Sequence, residues 1–193
     1  MDLNILKEKF QDLKLENQIS LEEIPDIDLY MDQVIQLFEN KLGDTKRSED
    51  DKTLTKTMIN NYAKGKLLMS IKNKRYSKEH IILMSMIYNL KGTLSINDIK
   101  SSLDKIVSSL DEEGNYPLKN LYKNYLEQYN NDLIDAEISI SEKNSIIDEK
   151  LSKDEEISGE FEKNFLLLCS LVNMSNMYRR MSEKLIDDYF NNI

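Results

Sequence analysis

Apolar residues recur at helical spacing through the first quarter of the chain. An amphipathic helix is predicted over residues 2–16, where four apolar side chains repeat every three or four positions: Leu3, Leu6, Phe10 and Leu13. Ser20 and Glu23 have the spacing of a capping box, but Pro25 follows at once and favours a turn equally well. A second helix is predicted from residue 26 to Gly43, and the polar residues 44–51 predict a loop.

The middle of the chain predicts a short helix, a small β wing and a longer helix. Residues 55–64 form the short helix, which Gly65 ends, with Met58, Ile59 and Tyr62 on its apolar side. Residues 67–71 and 75–76 could pair as a two-stranded wing around a basic turn at 72–74. Ser77 is then expected to cap a helix whose apolar residues include Ile81, Met84 and Tyr88.

Three further helices are predicted in the second half. The first starts at Ser95 and has the most regular apolar period of the chain, and the second opens at Pro117. Residues 127–162 contain 12 acidic and 3 basic residues, so this stretch is expected to be strongly solvated and partly loose. The last helix is expected to begin at a capping box at residues 152–155 and to run to about residue 190. It carries a heptad seam: Leu167, Leu171, Met174, Tyr178, Met181 and Leu185.

Composition narrows the class of protein. The 193 residues include 40% hydrophobic residues but only 5 Gly and 2 Pro, which favours an all-α protein with a small two-stranded wing. No apolar run is long enough to span a bilayer, and the charged start lacks the apolar core of a signal peptide. Cys169 has no partner for an internal disulfide, so a soluble protein of the reducing cytoplasm is expected.

Charge is distributed unevenly along this acidic chain. The formal net charge is −9, yet residues 52–78 hold eight basic residues and no acidic one. A local basic segment in an acidic protein is typical of a surface on which phosphates bind at one place only.

No residue pattern indicates catalysis, a metal site or a cofactor. His80 is the only histidine and is expected at the surface or at a boundary, without a histidine or cysteine partner. Cys169 lies in an apolar run and is expected to be a small buried residue. The acidic runs 49–51 and 111–113 lack the alternating spacing of a calcium loop. We therefore expect a protein that is not an enzyme.

Short motifs follow one another in order between Thr57 and Leu103: Thr57 with Met58, the segment 65–68, Arg75 to Ser77, the helix 78–90 and the segment 94–99. In this order they resemble the DNA-binding domain of MerR-type regulators. The resemblance covers about a quarter of the chain and implies a winged helix–turn–helix on double-stranded DNA. The chain departs from the family at Ile59, Asn60 and Asn61, where MerR-type proteins carry Arg-Tyr-Tyr, and residues 43–52 are inserted.

A second resemblance is closer. The run 29–33 (Leu-Tyr-Met-Asp-Gln) followed by the run 57–62 (Thr-Met-Ile-Asn-Asn-Tyr) is similar to a bacterial domain-of-unknown-function family, number 1836, thought to be MerR-like. It extends the resemblance back to about Ile24 and implies no established activity.

These observations predict a transcriptional regulator with three regions. Residues 1–19 are an N-terminal amphipathic helix, residues 20–112 a MerR-like helix–turn–helix domain, and residues 113–193 a helical dimerisation or effector region. The recognition helix is expected at about 55–64 and the basic wing at 65–76. The residues expected on DNA are Lys56, Thr57, Asn60, Asn61, Lys64, Lys66, Lys72, Lys74, Arg75 and Tyr76.

A homodimer is expected through the seam of the last helix, because a long apolar stripe must be covered. The helix could fold back on residues 117–130, pair antiparallel with its twin as the resemblance to MerR-type proteins implies, or do both. A rival interpretation treats the helix–turn–helix as a degenerate scaffold. In it, the acidic C-terminal half binds a protein partner or controls assembly.

Overall fold

The computed structural model describes residues 2–112, 114–154 and 156–191. These residues form seven α-helices, a short 3-10 helix at Gly43–Thr45 and one two-stranded sheet. The helices are α1 (Leu3–Gln11), α2 (Met31–Leu42), α3 (Lys56–Lys64), α4 (Lys78–Leu90), α5 (Ile96–Glu112), α6 (Leu118–Leu151) and α7 (Glu160–Tyr189), and the strands are β1 (Leu29–Tyr30) and β2 (Arg75–Tyr76). The expectation of a mostly helical chain with a small sheet is therefore confirmed.

The chain divides into two compact units. One, called here the sheet-bearing unit, consists of Asn17–Glu127 and Ser182–Ile193. The other, the helical unit, consists of Met1–Glu16 and Gln128–Met181. The domain boundaries expected after residues 19 and 112 stay predictions.

The pairing of the small sheet differs from the predicted wing. β2 pairs antiparallel with β1, the two residues immediately before α2, so that Leu29 faces Tyr76 and Tyr30 faces Arg75. Residues 67–71 do not form the predicted strand, and only a single bridge joins Lys72 to Arg75. The strand at 75–76 was predicted, but its partner is distant in sequence, and local periodicity carries no signal for such a pairing.

α4 is the central helix of the sheet-bearing unit. Every residue from Ile81 to Ile87 is buried, so the helix is covered on all sides. Ile59 of α3, Phe38 of α2 and Ile99 of α5 belong to the same core and are inaccessible to solvent. The short helices thus hold their positions by packing, since isolated helices of this length are marginal in water.

The first two turns of α6 join this core. Tyr122 is fully buried, its hydroxyl donates to the carbonyl oxygen of Ile19 at 2.6 Å, and burial raises its pKa to about 12. The bond ties two segments about 100 residues apart in sequence. It also satisfies a backbone acceptor that would otherwise be buried without a partner.

The start of α7 also differs from the prediction. α6 continues to Leu151, and the described residues between it and Glu160 are not helical. The Asp154 carboxylate accepts from the N–H groups of Glu156 and Ile157 at 3.0 and 3.3 Å, the kind of local bond that competes with helix formation. The capping box predicted at 152–155 therefore does not begin a helix, and its Glu155 lies outside the described residues.

The helical unit joins α1 to α6 and α7. Lys7 lies 3.8 Å from the Glu137 carboxylate, and the Tyr129 hydroxyl donates to the Leu15 carbonyl at 2.9 Å. Cys169 is half-buried rather than fully buried. Among the described residues, no helix has the length and apolar character needed to cross a bilayer.

Candidate nucleic-acid interface

α3 presents a polar face to solvent, and its apolar face is anchored in the core. The Thr55 hydroxyl caps the helix by accepting from the N–H of Met58 at 3.2 Å. Ile59 and Tyr62 are buried and Met58 is half-buried, so the predicted faces of this helix are confirmed. Five of the predicted DNA-contacting side chains are exposed along the opposite face: Lys56, Thr57, Asn60, Asn61 and Lys64.

The C-terminal end of α3 turns sharply outward at Lys66. Its φ of 60° lies in the left-handed region, and the N–H of Leu67 reaches back to the carbonyl of Tyr62 at 3.0 Å. This is a Schellman-type ending in which lysine occupies the position that glycine prefers. Gly65 stands one residue earlier in an ordinary helical conformation, where an added Cβ would lie 2.7 Å from the Leu67 side chain. The ending leaves Lys66 exposed.

The basic turn after α3 is a tight reversal from Lys72 to Arg75. The N–H of Arg75 donates to the carbonyl of Lys72 at 3.0 Å, and Asn73 and Lys74 have φ values of 52° and 57°. Positive φ at both central positions defines a type I′ turn, which usually carries glycine at the second position. The turn exposes the predicted residues Lys72, Lys74 and Arg75, and Asn73 with them.

Tyr76 does not belong to the exposed surface. Only 3% of the residue is accessible, and its ring packs edge-on against His80 with 5.8 Å between centroids. Burial raises the pKa of its hydroxyl. Tyr76 therefore anchors β2 in the core, and its predicted place on a DNA surface is corrected.

The start of α2 connects the polar face of α3 to the basic turn. The Arg75 guanidinium donates to the Tyr30 hydroxyl at 3.0 Å and lies 5.0 Å from the centroid of the Tyr30 ring. Two residues later, the Asp32 carboxylate lies 2.8 Å from the ammonium of Lys56. The beginning of α3 and the reversal at residues 72–75 therefore meet at one corner of the unit.

Folding brings carboxylates to a segment that has none in sequence. Asp32 pairs with Lys56, and Asp26 pairs with Lys78 at 2.9 Å, which lowers the pKa of the Asp26 carboxyl through the hydrogen bond and charge of Lys78. The basic stretch is thus partly neutralised at two of its eight positions. Tyr30 and Asp32 were not predicted on this surface, because each joins it through a contact with a segment distant in sequence, and a local pattern carries no signal for such contacts.

The loop inserted between α2 and α3 is fastened to α2. The Glu39 carboxylate accepts from the hydroxyl of buried Thr53 at 2.9 Å and binds the ammonium of Lys46, and both interactions lower the pKa of its carboxyl. The buried side chain of Leu54 closes the loop against the core. The insertion therefore holds the beginning of α3 at a defined position.

His80 is buried beneath the basic turn, which contradicts its expected place at the surface or a boundary. Its Nδ1 lies 3.1 Å from the backbone nitrogen of Ser77, from which it accepts, and its Nε2 lies 3.3 Å from the carbonyl oxygen of Met69. These two bonds define a neutral ring protonated at Nε2, and burial lowers the pKa of the imidazole. His80 thus closes the capping box of α4 and ties it to the segment before the turn.

The described residues place no group of three or more His, Cys, Asp and Glu side chains where a metal ion could bind.

A model of the family described as "Domain of unknown function (DUF1836)" matches residues 19–125. The chain belongs to the DUF1836 family. No curated protein and no solved structure matches this chain. The DUF1836 region nearly coincides with the contiguous part of the sheet-bearing unit, Asn17–Glu127, and contains the whole surface described above.

The predicted dimerisation seam lies outside the DUF1836 region and is covered unequally. Leu167 is buried, and Leu171 and Met174 are half-buried. Tyr178, Met181 and Leu185 are 67%, 57% and 42% exposed. The first half of the seam is therefore mostly covered within the chain. A second stripe of exposed apolar residues lies on another side of α7: Phe161, Phe165, Leu168 and Val172.

Proposed function

We propose that this DUF1836 protein is a DNA-binding regulator of MerR-like type, with α3 as its recognition helix and residues 72–75 as its wing. One observation carries the proposal. Tyr30, the last residue of β1, contacts the basic turn, and Asp32, in the first turn of α2, contacts the first residue of α3. A helix presenting asparagine and lysine is thereby set beside a turn presenting three cations. In DNA-binding proteins of this kind, the helix contacts base edges in the groove and the basic turn contacts backbone phosphates.

The chemistry of the α3 face suits the major groove. Asn60 and Asn61 are exposed amides, and an asparagine amide pairs bidentately with the edge of adenine. Lys64 stands one turn further along the helix and is suited to guanine or phosphate. None of these three side chains contributes to the core, so they are available to a ligand without cost to folding.

The order of elements supports the MerR-like form of the proposal. A strand leads into α2, a turn and loop lead into α3, and the chain returns through a tight reversal to pair with that first strand before α4. The pairing of β1 with β2 fixes the basic turn relative to the two helices. A wing held in this way can contact the backbone beside the groove that α3 enters.

Asp32 is compatible with this surface. Its ion pair with Lys56 is strongly exposed, with side-chain accessibilities of 76% and 64%, and exposed pairs contribute little to stability. A phosphate can therefore replace Asp32 as the partner of Lys56.

The test is DNA binding by the full chain, measured by fluorescence anisotropy on a pool of genomic fragments at about 50 mM salt. We expect saturable binding that weakens with salt. The double variant Lys64→Gln, Lys74→Gln should bind more weakly and depend less steeply on salt. The matched control, Lys123→Gln with Lys150→Gln, removes two exposed lysines of α6 and should bind like the wild type. No binding by the wild type, or equal losses in both double variants, would overturn the proposal.

A second candidate function is assembly through the C-terminal region, and the exposed apolar stripe of α7 favours it. Phe161 and Phe165 stack at 6.1 Å yet are 75% and 52% exposed, and Leu168 and Val172 extend the stripe. The four residues follow the alternating spacing of four and three that packs helices against one another. A second copy of the chain is the proposed partner, because a dimer also presents two recognition helices to a palindromic site.

Light scattering of the purified chain distinguishes the two candidate faces of α7. Phe165→Glu with Leu168→Glu should convert a dimer to a monomer if the exposed stripe is the interface. Met174→Glu with Met181→Glu should convert the dimer to a monomer if the predicted seam is the interface. A wild-type mass near the monomer value of 22.7 kDa at micromolar concentration would refute assembly. DNA binding by such a monomer would leave the regulator proposal standing on its own.

A further inference from the structure

A large cavity lies within the sheet-bearing unit, and none of the residues assigned to DNA lines it. Its volume is about 770 Å³, and all of its lining residues belong to Asn17–Glu127 or Ser182–Ile193. The floor is apolar and buried, formed by Met86 of α4, Leu103 and Ile106 of α5 and Ile186 of α7. A volume of this size is in the range of small-molecule sites.

Two large apolar side chains on the cavity wall remain accessible. Leu185 is 42% exposed and Phe190 is 40% exposed, although both stand beside the buried Ile186 and line the cavity. Leaving leucine and phenylalanine in contact with water is unfavourable, and a ligand with an apolar body would remove that contact. Leu185 and Phe190 therefore provide apolar contact area for a ligand in addition to that of the buried floor.

The rim of the cavity is polar and carries a net positive charge. Its charged residues are Lys100, Asp104 and Lys105 of α5, which sum to +1 on a chain whose net charge is −9. Hydroxyl groups line it as well, Ser101 and Ser102 among them. Two exposed lysines above an apolar floor are complementary to a molecule with one anionic end and a hydrocarbon body.

We propose that this cavity binds an amphipathic small molecule of the medium-chain carboxylate class. The hydrocarbon body lies on Leu103, Ile106 and Ile186, and the carboxylate faces Lys100 and Lys105. Binding adds apolar contacts to Leu185 and Phe190, and therefore holds the end of α7 against α5. The inference does not depend on DNA binding, because none of these residues belongs to the proposed interface.

Calorimetric titration of the full chain with decanoate, below its micelle concentration, tests the site. We expect one saturable site per chain and a rise in the thermal midpoint. Ser101→Phe fills the cavity and should weaken decanoate at least about tenfold, whereas Ser109→Phe places the same ring on α5 outside the lining and should not. Leu185→Trp fills the cavity from the α7 side and provides the test if Ser101→Phe does not fold.

The headgroup is tested separately with decanol. Lys100→Gln with Lys105→Gln should weaken decanoate about tenfold and leave decanol unchanged, and the control pair Lys123→Gln, Lys150→Gln should change neither. Absence of saturable binding would overturn the site. Equal binding by the wild type and both cavity-filling variants would do so as well. Equal losses of decanoate and decanol in the rim variant would refute the assignment of an anionic ligand.

Discussion

Replacing Lys74 by glycine separates folding from DNA binding at the basic turn. Lys74 is the second central residue of the type I′ turn and has a φ of 57°, a conformation that costs an L-residue roughly 1–2 kcal/mol relative to glycine. Glycine recovers this cost but loses about 0.4–1 kcal/mol to the greater freedom of the unfolded chain. Subtraction of these two terms gives a gain of about 0–1.6 kcal/mol in the free energy of unfolding for Lys74→Gly, with a centre near about 0.8 kcal/mol.

The same substitution removes one exposed cation from the proposed wing. If Lys74 neutralises a phosphate, the slope of log K against log salt should fall by about 0.9 for double-stranded DNA. The variant should therefore be more stable than the wild type and bind DNA more weakly. Weaker binding by a more stable protein cannot result from partial unfolding.

Urea denaturation followed by circular dichroism gives the stability, and anisotropy at several salt concentrations gives the slope. Lys74→Ala is the matched control, because alanine removes the charge but keeps a side chain at positive φ. It should lose DNA affinity to the same extent without gaining stability. A glycine variant less stable than the wild type would refute the turn geometry, and an unchanged salt slope would remove Lys74 from the interface.

Three further predictions concern the core and its titration. Ile59→Ala should cost about 2–5 kcal/mol of stability in urea denaturation, whereas Asn60→Ala should cost less than about 0.5 kcal/mol and should alter DNA sequence preference. The pKa of folded His80 is lowered from 6.5, so the unfolded chain binds more protons below that pH. Stability should therefore fall as the pH drops through 6.5, and His80→Gln, which can still accept the capping bond, should reduce that loss. Tyr122→Phe should cost about 1–3 kcal/mol in thermal or urea denaturation, because the buried carbonyl of Ile19 loses its donor.

Local pattern was sufficient for several elements of the DUF1836 region. The apolar period of α5, the ending of α2 before Gly43 and the faces of α3 were all predicted correctly. Each depends on residues within three or four positions of one another, where helical geometry alone decides which side chains share a face. The exposed lysines and asparagines of α3 were identifiable for the same reason.

Tertiary structure decided the features that depend on contacts between distant segments. The pairing of Leu29–Tyr30 with Arg75–Tyr76 buries Tyr76 and carries Arg75 to the start of α2. Asp32 reaches Lys56 only because α2 and α3 pack side by side. Burial of His80 follows from its place between the capped end of α4 and the Met69 carbonyl, which no periodicity of α4 encodes.

In the C-terminal helices, too, local sequence predicted some features and tertiary packing decided others. Their apolar residues have helical spacing that is visible in the sequence, but spacing does not say which half of the Leu167–Leu185 seam is covered. The predicted start of the last helix was wrong. The capping-box pattern at 152–155 predicts a helix start, but the Asp154 side chain instead accepts local hydrogen bonds from the backbone of Glu156 and Ile157. The sequence is compatible with both arrangements. The sequence by itself therefore determined that this protein is helical and where its cations lie. Packing determined which of them meet, since charge and burial depend on distances in space.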